Sequence, residues 1–120
     1  MESSDLDYWV SRYVKAWESN DPDDIVALFS TDAAYLTAPH RAPWKGQEAI
    51  LSGWLDRKDE PGDHEFRWEV LGVDGDVGFV RGWTRYPGQD PEGYGNLWVI
   101  RLDPDGRAAE FTEWWMVEGS

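Results

Sequence analysis

The sequence predicts an α+β fold, with helices packed on the concave face of a curved, mainly antiparallel sheet. Three observations carry this. Apolar residues recur at helical spacing in the first half of the chain, at Leu6, Trp9, Val10, Tyr13, Val14 and Trp17. The second half reads as four strands rich in aromatic and β-branched residues, separated by turn residues. Helices followed by a run of strands, with no βαβ alternation, favour an α+β layout.

The first helix spans Asp5 to Asn20, with Ser3 or Ser4 as its cap. Asn20-Asp21-Pro22 stops it and opens a second helix, Pro22 suiting the first turn. Ile25, Val26, Leu28 and Phe29 form that helix's buried side. After the Ser30-Thr31-Asp32 turn, Ala33 to Ala38 is a short strand ended by Pro39, and His40 to Gly46 is a loop. A third helix, Gln47 to Lys58, buries Ile50, Leu51, Trp54 and Leu55.

His64 to Val73 and Val77 to Tyr86 are strands joined by a hairpin turn at Asp74-Gly75-Asp76. Gly93 to Leu102 and Arg107 to Val117 are two longer strands joined by Asp103-Pro104-Asp105-Gly106. In that turn Pro presets φ and Gly takes the positive-φ position. Folding the last pair sets Ala109 opposite Ile100, Phe111 opposite Trp98, Glu113 opposite Asn96 and Trp115 opposite Tyr94. The preceding pair sets Phe66 opposite Thr84 and Trp68 opposite Gly82. Placing Gly82 beside Trp98 completes inner rows Trp68–Gly82–Trp98–Phe111 and Phe66–Thr84–Asn96–Glu113. Side chains alternate faces along a strand. The inner face is therefore almost wholly apolar, with one acid and one amide set into it.

Composition bounds the function. The 120 residues, read as one domain over 1–120, suffice for a real core. Nine Trp, five Tyr and four Phe suit a cavity lined with rings. A net charge of −13 repels phosphate, so neither nucleic acid nor anionic membrane is expected as a partner. The chain has no Cys and two His, at 40 and 64, so no metal site is expected, and no cofactor motif is found. The acidic start, MESSDLDYW, is not a secretion signal, and a cytoplasmic protein is expected.

Three stretches resemble a known family: SRYVKAWESNDPDDIVALFSTDAAYLTAP (11–39), WKGQEAI (44–50) and NLWVIRLDPDGRAAEFTEWW (96–115). Together they resemble the nuclear-transport-factor-2-like superfamily, in its SnoaL-like and ketosteroid-isomerase-like branch. The resemblance implies a cone-shaped barrel with a deep pocket between the sheet and three N-terminal-half helices. It also implies a homodimer through the sheet's outer face. Tyr13 matches the helix-one tyrosine of the isomerases' oxyanion hole. The isomerases' aspartate base falls at Thr37, or at Ala38 with a one-residue slip, and their second aspartate falls at Trp98. Two of three isomerase groups are therefore absent. The Asp–Arg–Asp set of the limonene epoxide hydrolases, the paired histidines of scytalone dehydratase and the SnoaL cyclases' aspartate find no inward match.

Glu113 is the leading candidate for acid/base chemistry, because burial among aromatics raises a carboxyl's pKa toward a useful range. Tyr13 and Asn96 are candidates to hydrogen-bond a ligand oxygen. Trp17, Trp54, Trp68, Thr84, Trp98, Phe111, Trp115 and His40 are candidate ligand-lining residues. The expected ligand is small, largely apolar and cyclic, and the candidate reactions are isomerisation, cyclisation and dehydration. A structural carboxyl tied to Asn96, Thr84 or Tyr13, in a binding or interaction domain, is the competing reading. Arg81 and Arg85 are expected to face outward. The outer face, with Leu71, Phe79, Trp83, Leu97, Trp114 and Met116, is too apolar to be wholly wet.

Overall fold

A computed structural model describes residues 1–119. Its elements are α1 (Ser3–Ser19), α2 (Pro22–Val26), β1 (Phe29–Leu36), β2 (Trp44–Lys45), α3 (Gln47–Asp56), β3 (Glu65–Asp74), β4 (Val77–Arg85), β5 (Gly93–Leu102) and β6 (Ala108–Val117). The six strands form one curved sheet in the order β2-β1-β6-β5-β4-β3. The curved, mainly antiparallel sheet and its three helices are as expected, and edge strands β2 and β3 do not meet, so the sheet is not closed.

The helices form where the periodicity places them. Helix α1 buries Leu6, Trp9, Val10, Tyr13 and Ala16 on one stripe. Its cap position is Glu2 rather than Ser3 or Ser4, and the Glu2 amide donates to Asp5 Oδ2 at 2.7 Å. The helix stops at Asn20, which adopts the left-handed conformation (φ 52°) and returns its amide to Ala16 O at 2.8 Å. Asp21 then caps α2 by accepting from the Asp23 amide at 2.8 Å, and Pro22 opens the helix. Helix α2 is shorter than expected. Leu28 falls in a turn and Phe29 already begins β1, both fully buried.

Strand β1 is longer than the expected Ala33–Ala38 and lies parallel to β6, pairing Tyr35 with Phe111 and Leu36 with Thr112. The other neighbours in the sheet are antiparallel. Strand β2 occupies part of the expected His40–Gly46 loop and pairs with β1. Helix α3 ends at Asp56, two residues early, and His64 precedes β3 rather than starting it.

Strands β3 and β4 take the expected register, with Phe66 opposite Thr84 and Trp68 opposite Gly82. The two pairings beyond differ from expectation by two residues each. Gly82 lies opposite Asn96 rather than Trp98, and Glu113 lies opposite Trp98 rather than Asn96. A bulge causes part of the second shift. Arg101 pairs with Glu110 and Leu102 with Ala108, leaving Ala109 as the extra residue. Ala108 takes the fully buried place expected for Ala109. A two-residue shift preserves the facing of every side chain, because the strand period is two. Apart from the exchange of Ala109 for Ala108 at the bulge, the inner face of these strands therefore keeps its members, while the cross-strand neighbours change.

The core sits between α1, α3 and the concave face. Trp9 fills its centre, and its indole Nε1 donates to Leu28 O at 3.0 Å. Arg81 and Arg85 face outward. Arg81 pairs with Glu69, and Arg85 pairs with Glu92 at 3.0 Å and Glu118 at 3.6 Å. No helix of the described residues is long and apolar enough to cross a membrane.

Candidate functional site

Glu113 reaches the concave face because β6 alternates Phe111, Glu113 and Trp115 inward, from the core toward the open end of the sheet. Its directly opposite neighbour, Trp98, donates Nε1–H to Oε2. The diagonal neighbour Asn96 donates Nδ2–H to the same oxygen at 3.1 Å, and the Asn96 amide oxygen in turn accepts from Thr84 Oγ1 at 2.8 Å. That chain fixes which end of the amide faces the carboxyl. Among the described residues Oε1 takes no hydrogen bond and is not fully enclosed, so it is the oxygen that faces the cavity.

Burial pushes the Glu113 carboxyl up to about 7, against the opposing pull of the Trp98 and Asn96 hydrogen bonds. Desolvation wins because two neutral donors do not replace the hydration of a full charge. Both protonation states are therefore populated near neutral pH, the condition for a group that takes and returns a proton.

Two tyrosines complete the inner wall. Tyr13 from α1 and Tyr35 from β1 share a hydrogen bond between their hydroxyls at 2.7 Å. Burial raises both hydroxyls well above their ordinary range, and the nearby Glu113 carboxylate adds to this, so both stay neutral. Two hydroxyls carry two hydrogens and their mutual bond uses one. Neither oxygen has another partner among the described residues, so the second hydrogen is free for a ligand oxygen. Tyr13 is wedged among Trp54 (4.9 Å), Trp98 (4.7 Å) and Phe111 (5.5 Å, planes 10° apart), which fixes its ring.

These groups line one cavity of about 470 Å³, within the span of about 300–1,000 Å³ usual for small-molecule sites. Of the sequence candidates, Glu113, Tyr13, Asn96, Trp17, Trp54, Thr84, Trp98 and Trp115 border it. Three do not. Phe111 is fully buried beneath Tyr13 and Tyr35 as packing. Trp68 lies further along β3, half-buried, with its indole Nε1 donating to Asp7 Oδ1 at 3.0 Å. His40 is exposed in the turn after β1.

Other lining residues were not expected. Tyr35 was legible in principle, since it precedes Thr37, also on the cavity wall, by one strand period. Asp59 comes from a connection with no periodic signal, and Tyr86, expected as the last residue of a strand, lies just past the end of β4. Asp59 Oδ2 accepts from Trp17 Nε1 at 2.9 Å and from the Tyr86 hydroxyl at 3.1 Å. Arg41, Arg57 and Lys58 border the same space. Among the described residues no group of three or more His, Cys, Asp or Glu is placed to hold a metal ion.

Comparison with known proteins places the fold. The family model of the SnoaL-like domain matches residues 10–117, so the chain belongs to the SnoaL-like family. A search of curated proteins finds no match. Among solved structures, a candidate polyketide cyclase from Sinorhizobium meliloti is 28% identical over 95% of this chain and 100% of its own, with a TM-score of 0.68. A ketosteroid isomerase-like protein from Erwinia carotovora atroseptica is 18% identical over 96% of each chain, also with a TM-score of 0.68. An NTF-2 like protein of unknown function from Burkholderia xenovorans is 13% identical over 98% of this chain and 87% of its own, with a TM-score of 0.75.

Proposed function

We propose that this protein binds a small, largely apolar cyclic molecule bearing a carbonyl or hydroxyl oxygen, and moves a proton on it without a cofactor. The observation that carries the reading is the free Oε1 of Glu113 on the cavity wall, on a carboxyl poised at about 7. Glu113 takes the proton from a carbon next to the ligand's carbonyl. The Tyr13–Tyr35 pair donates its spare hydrogen to the oxygen that gains charge. Trp54, Trp98 and Trp115 hold the ring, and Asn96 holds Glu113. Return of the proton at another carbon gives isomerisation. Attack of the enolate on a second carbonyl gives cyclisation, and loss of a β-hydroxyl gives dehydration.

The test is proton exchange at the α-carbon of 2-tetralone in deuterated buffer, followed by NMR. Exchange is expected above the buffer rate, and Glu113→Gln is expected to lower it by about 10²- to 10⁴-fold. Exchange at the buffer rate, or unchanged in Glu113→Gln, rejects the chemistry.

A non-catalytic binding domain is the second reading. It is favoured by Thr37 and Trp98 standing where the isomerases have aspartates, and by the two hydrogen bonds that already hold Glu113. Ligand binding with no exchange of its protons would select it. In either reading the outer sheet face, with Trp114 50% and Met116 65% exposed beside Leu71 and Leu97, pairs with a second copy of the chain.

A further inference from the structure

The cavity is built by an acidic chain, with 24 acids against 11 bases, yet its open rim gathers three cations: Arg41, Arg57 and Lys58. They arrive from separate segments. Arg41 lies in the turn after β1, and Arg57 and Lys58 follow the last residue of α3. All three are exposed.

Position together with pairing sets them apart: Arg67 also lacks an ion pair and a side-chain hydrogen bond among the described residues, but it lies over Trp83 and off this cavity. Arg81, Arg85, Arg101 and Arg107 each have a carboxylate partner. Arg41 and Arg57 have no ion pair or side-chain hydrogen bond among the described residues. Lys58 has only Glu60 at 4.0 Å, with both side chains about half exposed or more. The Arg57 guanidinium instead lies 5.7 Å from the centre of the Trp44 ring, and its charge is felt at the Tyr35 hydroxyl inside the cavity. Charge at a helix C-terminus accounts for Arg57 and Lys58 without any ligand. It does not account for Arg41, which comes to the same rim from another element.

The lining sets these three cations against two carboxyls, those of Asp59 and Glu113. Asp59 is engaged by Trp17 and Tyr86, and Glu113 lies at the inner wall against Trp98. The lining thus has a cationic rim and an aromatic interior. Guanidinium groups without protein partners suit a carboxylate, which they grip with two parallel hydrogen bonds.

We propose that the ligand is a cyclic or aromatic carboxylic acid, its ring among the tryptophans and its carboxylate held at the rim by Arg41 and Arg57, with Lys58 adding charge. This rests on the reading of the cavity as a ligand pocket, and not on the proton chemistry assigned to Glu113.

The experiment is calorimetric titration of the full chain with 2-naphthoate and, separately, with its neutral counterpart 2-naphthylmethanol, in low-salt buffer at pH 7. The anion is expected to bind about tenfold or more tightly than the alcohol, an advantage that shrinks as salt screens the rim. Arg41→Gln and Arg57→Gln are each expected to remove part of that preference. The double variant is expected to bring the two affinities to within about twofold, chiefly by weakening the anion. Lys15→Gln, an exposed cation of α1 off the cavity lining, controls for net charge and leaves both affinities as they were. Equal affinities in the native chain would overturn the carboxylate assignment while leaving the pocket reading standing. So would an anion preference that survives the double substitution. Failure of both probes to bind overturns the pocket reading and this inference with it.

Discussion

Glu113 and His64 are two titratable groups held in opposite kinds of strain, and each predicts a distinct dependence on pH. The folded Glu113 carboxyl sits at about 7 against an ordinary value of 4.5. The folded state thus holds a proton that the unfolded chain gives up between those limits. Its contribution to stability is fully present below pH 4.5 and is lost as pH rises to about 7. Glu113→Gln removes the titration and keeps an oxygen that accepts from Trp98 and Asn96. The variant is expected to match the native chain at pH 4.5 and to exceed it by up to about 3 kcal/mol at pH 8, measured by urea unfolding. A difference independent of pH would refute the assignment. His64 is 5% exposed, stacks on Trp17 at 3.9 Å, and has no hydrogen-bond partner at either ring nitrogen among the described residues. Burial lowers its pKa, against the carboxylates of Asp59, Glu18 and Asp63, which pull it upward. Stability from this group is present above its unfolded value of 6.5 and declines as pH falls below it. His64→Phe keeps the stack and removes two unsatisfied nitrogens. It is expected to stabilise the fold by about 1–2 kcal/mol at pH 7, and by more at pH 5.5, in the same assay.

At the scale of the element, close approach decides what a position tolerates. Gly53 of α3 lies against the Trp44 indole, so that a Cβ there would overlap the ring. Trp44 in turn stacks on Tyr35 at 5.0 Å, with the planes 17° apart. Gly53→Ala is therefore expected to push Trp44 off Tyr35 and destabilise the fold by about 1–3 kcal/mol, despite alanine's better helix propensity. Thermal unfolding gives the cost, and a neutral or stabilising result would show that the ring yields freely. Trp9 makes the complementary case. Trp9→Phe keeps most of the buried ring but leaves Leu28 O without its indole donor, and is expected to cost about 1–3 kcal/mol. The register of β4, β5 and β6 belongs to this scale too. Facing was legible because alternation is local. The exact partner was not, because the Ala109 bulge and the loop between β4 and β5 set the offset, and neither has a periodic signature.

For the whole molecule, the two sheet faces divide the work. The concave face is covered by helices except at its open end, where the cavity lies. The convex face shows Leu71, Leu97, Trp114 and Met116 to solvent. A second copy meeting that face by two-fold symmetry would bury the patch without touching the cavity residues. Met116→Lys together with Leu97→Lys is expected to shift sedimentation from dimer to monomer, because like charges would then oppose each other across the axis. Unchanged mass, or a native chain already monomeric, would reject this interface. The aromatics show a related division. Trp54, Trp98 and Tyr13 both pack the core and line the pocket, whereas Phe111 only packs. No composition argument separates the two uses, since both place a ring on the same face.

The α+β layout, the SnoaL-like family and the inward Glu113 with Tyr13 and Asn96 near it were all legible in the order of residues. All of these rest on short-range periodicity, or on motifs carried by contiguous residues. The rest came from the assembled fold. It left the sheet open, ran β1 parallel to β6, and so set Tyr35 against Tyr13. It also brought Arg41, from the turn after β1, to the same cavity as Arg57 and Asp59, from the connection after α3. Such contacts join residues far apart in the chain, through loops whose path follows the packing of the elements they connect. That packing is a property of the assembled core, and no single stretch of sequence encodes it.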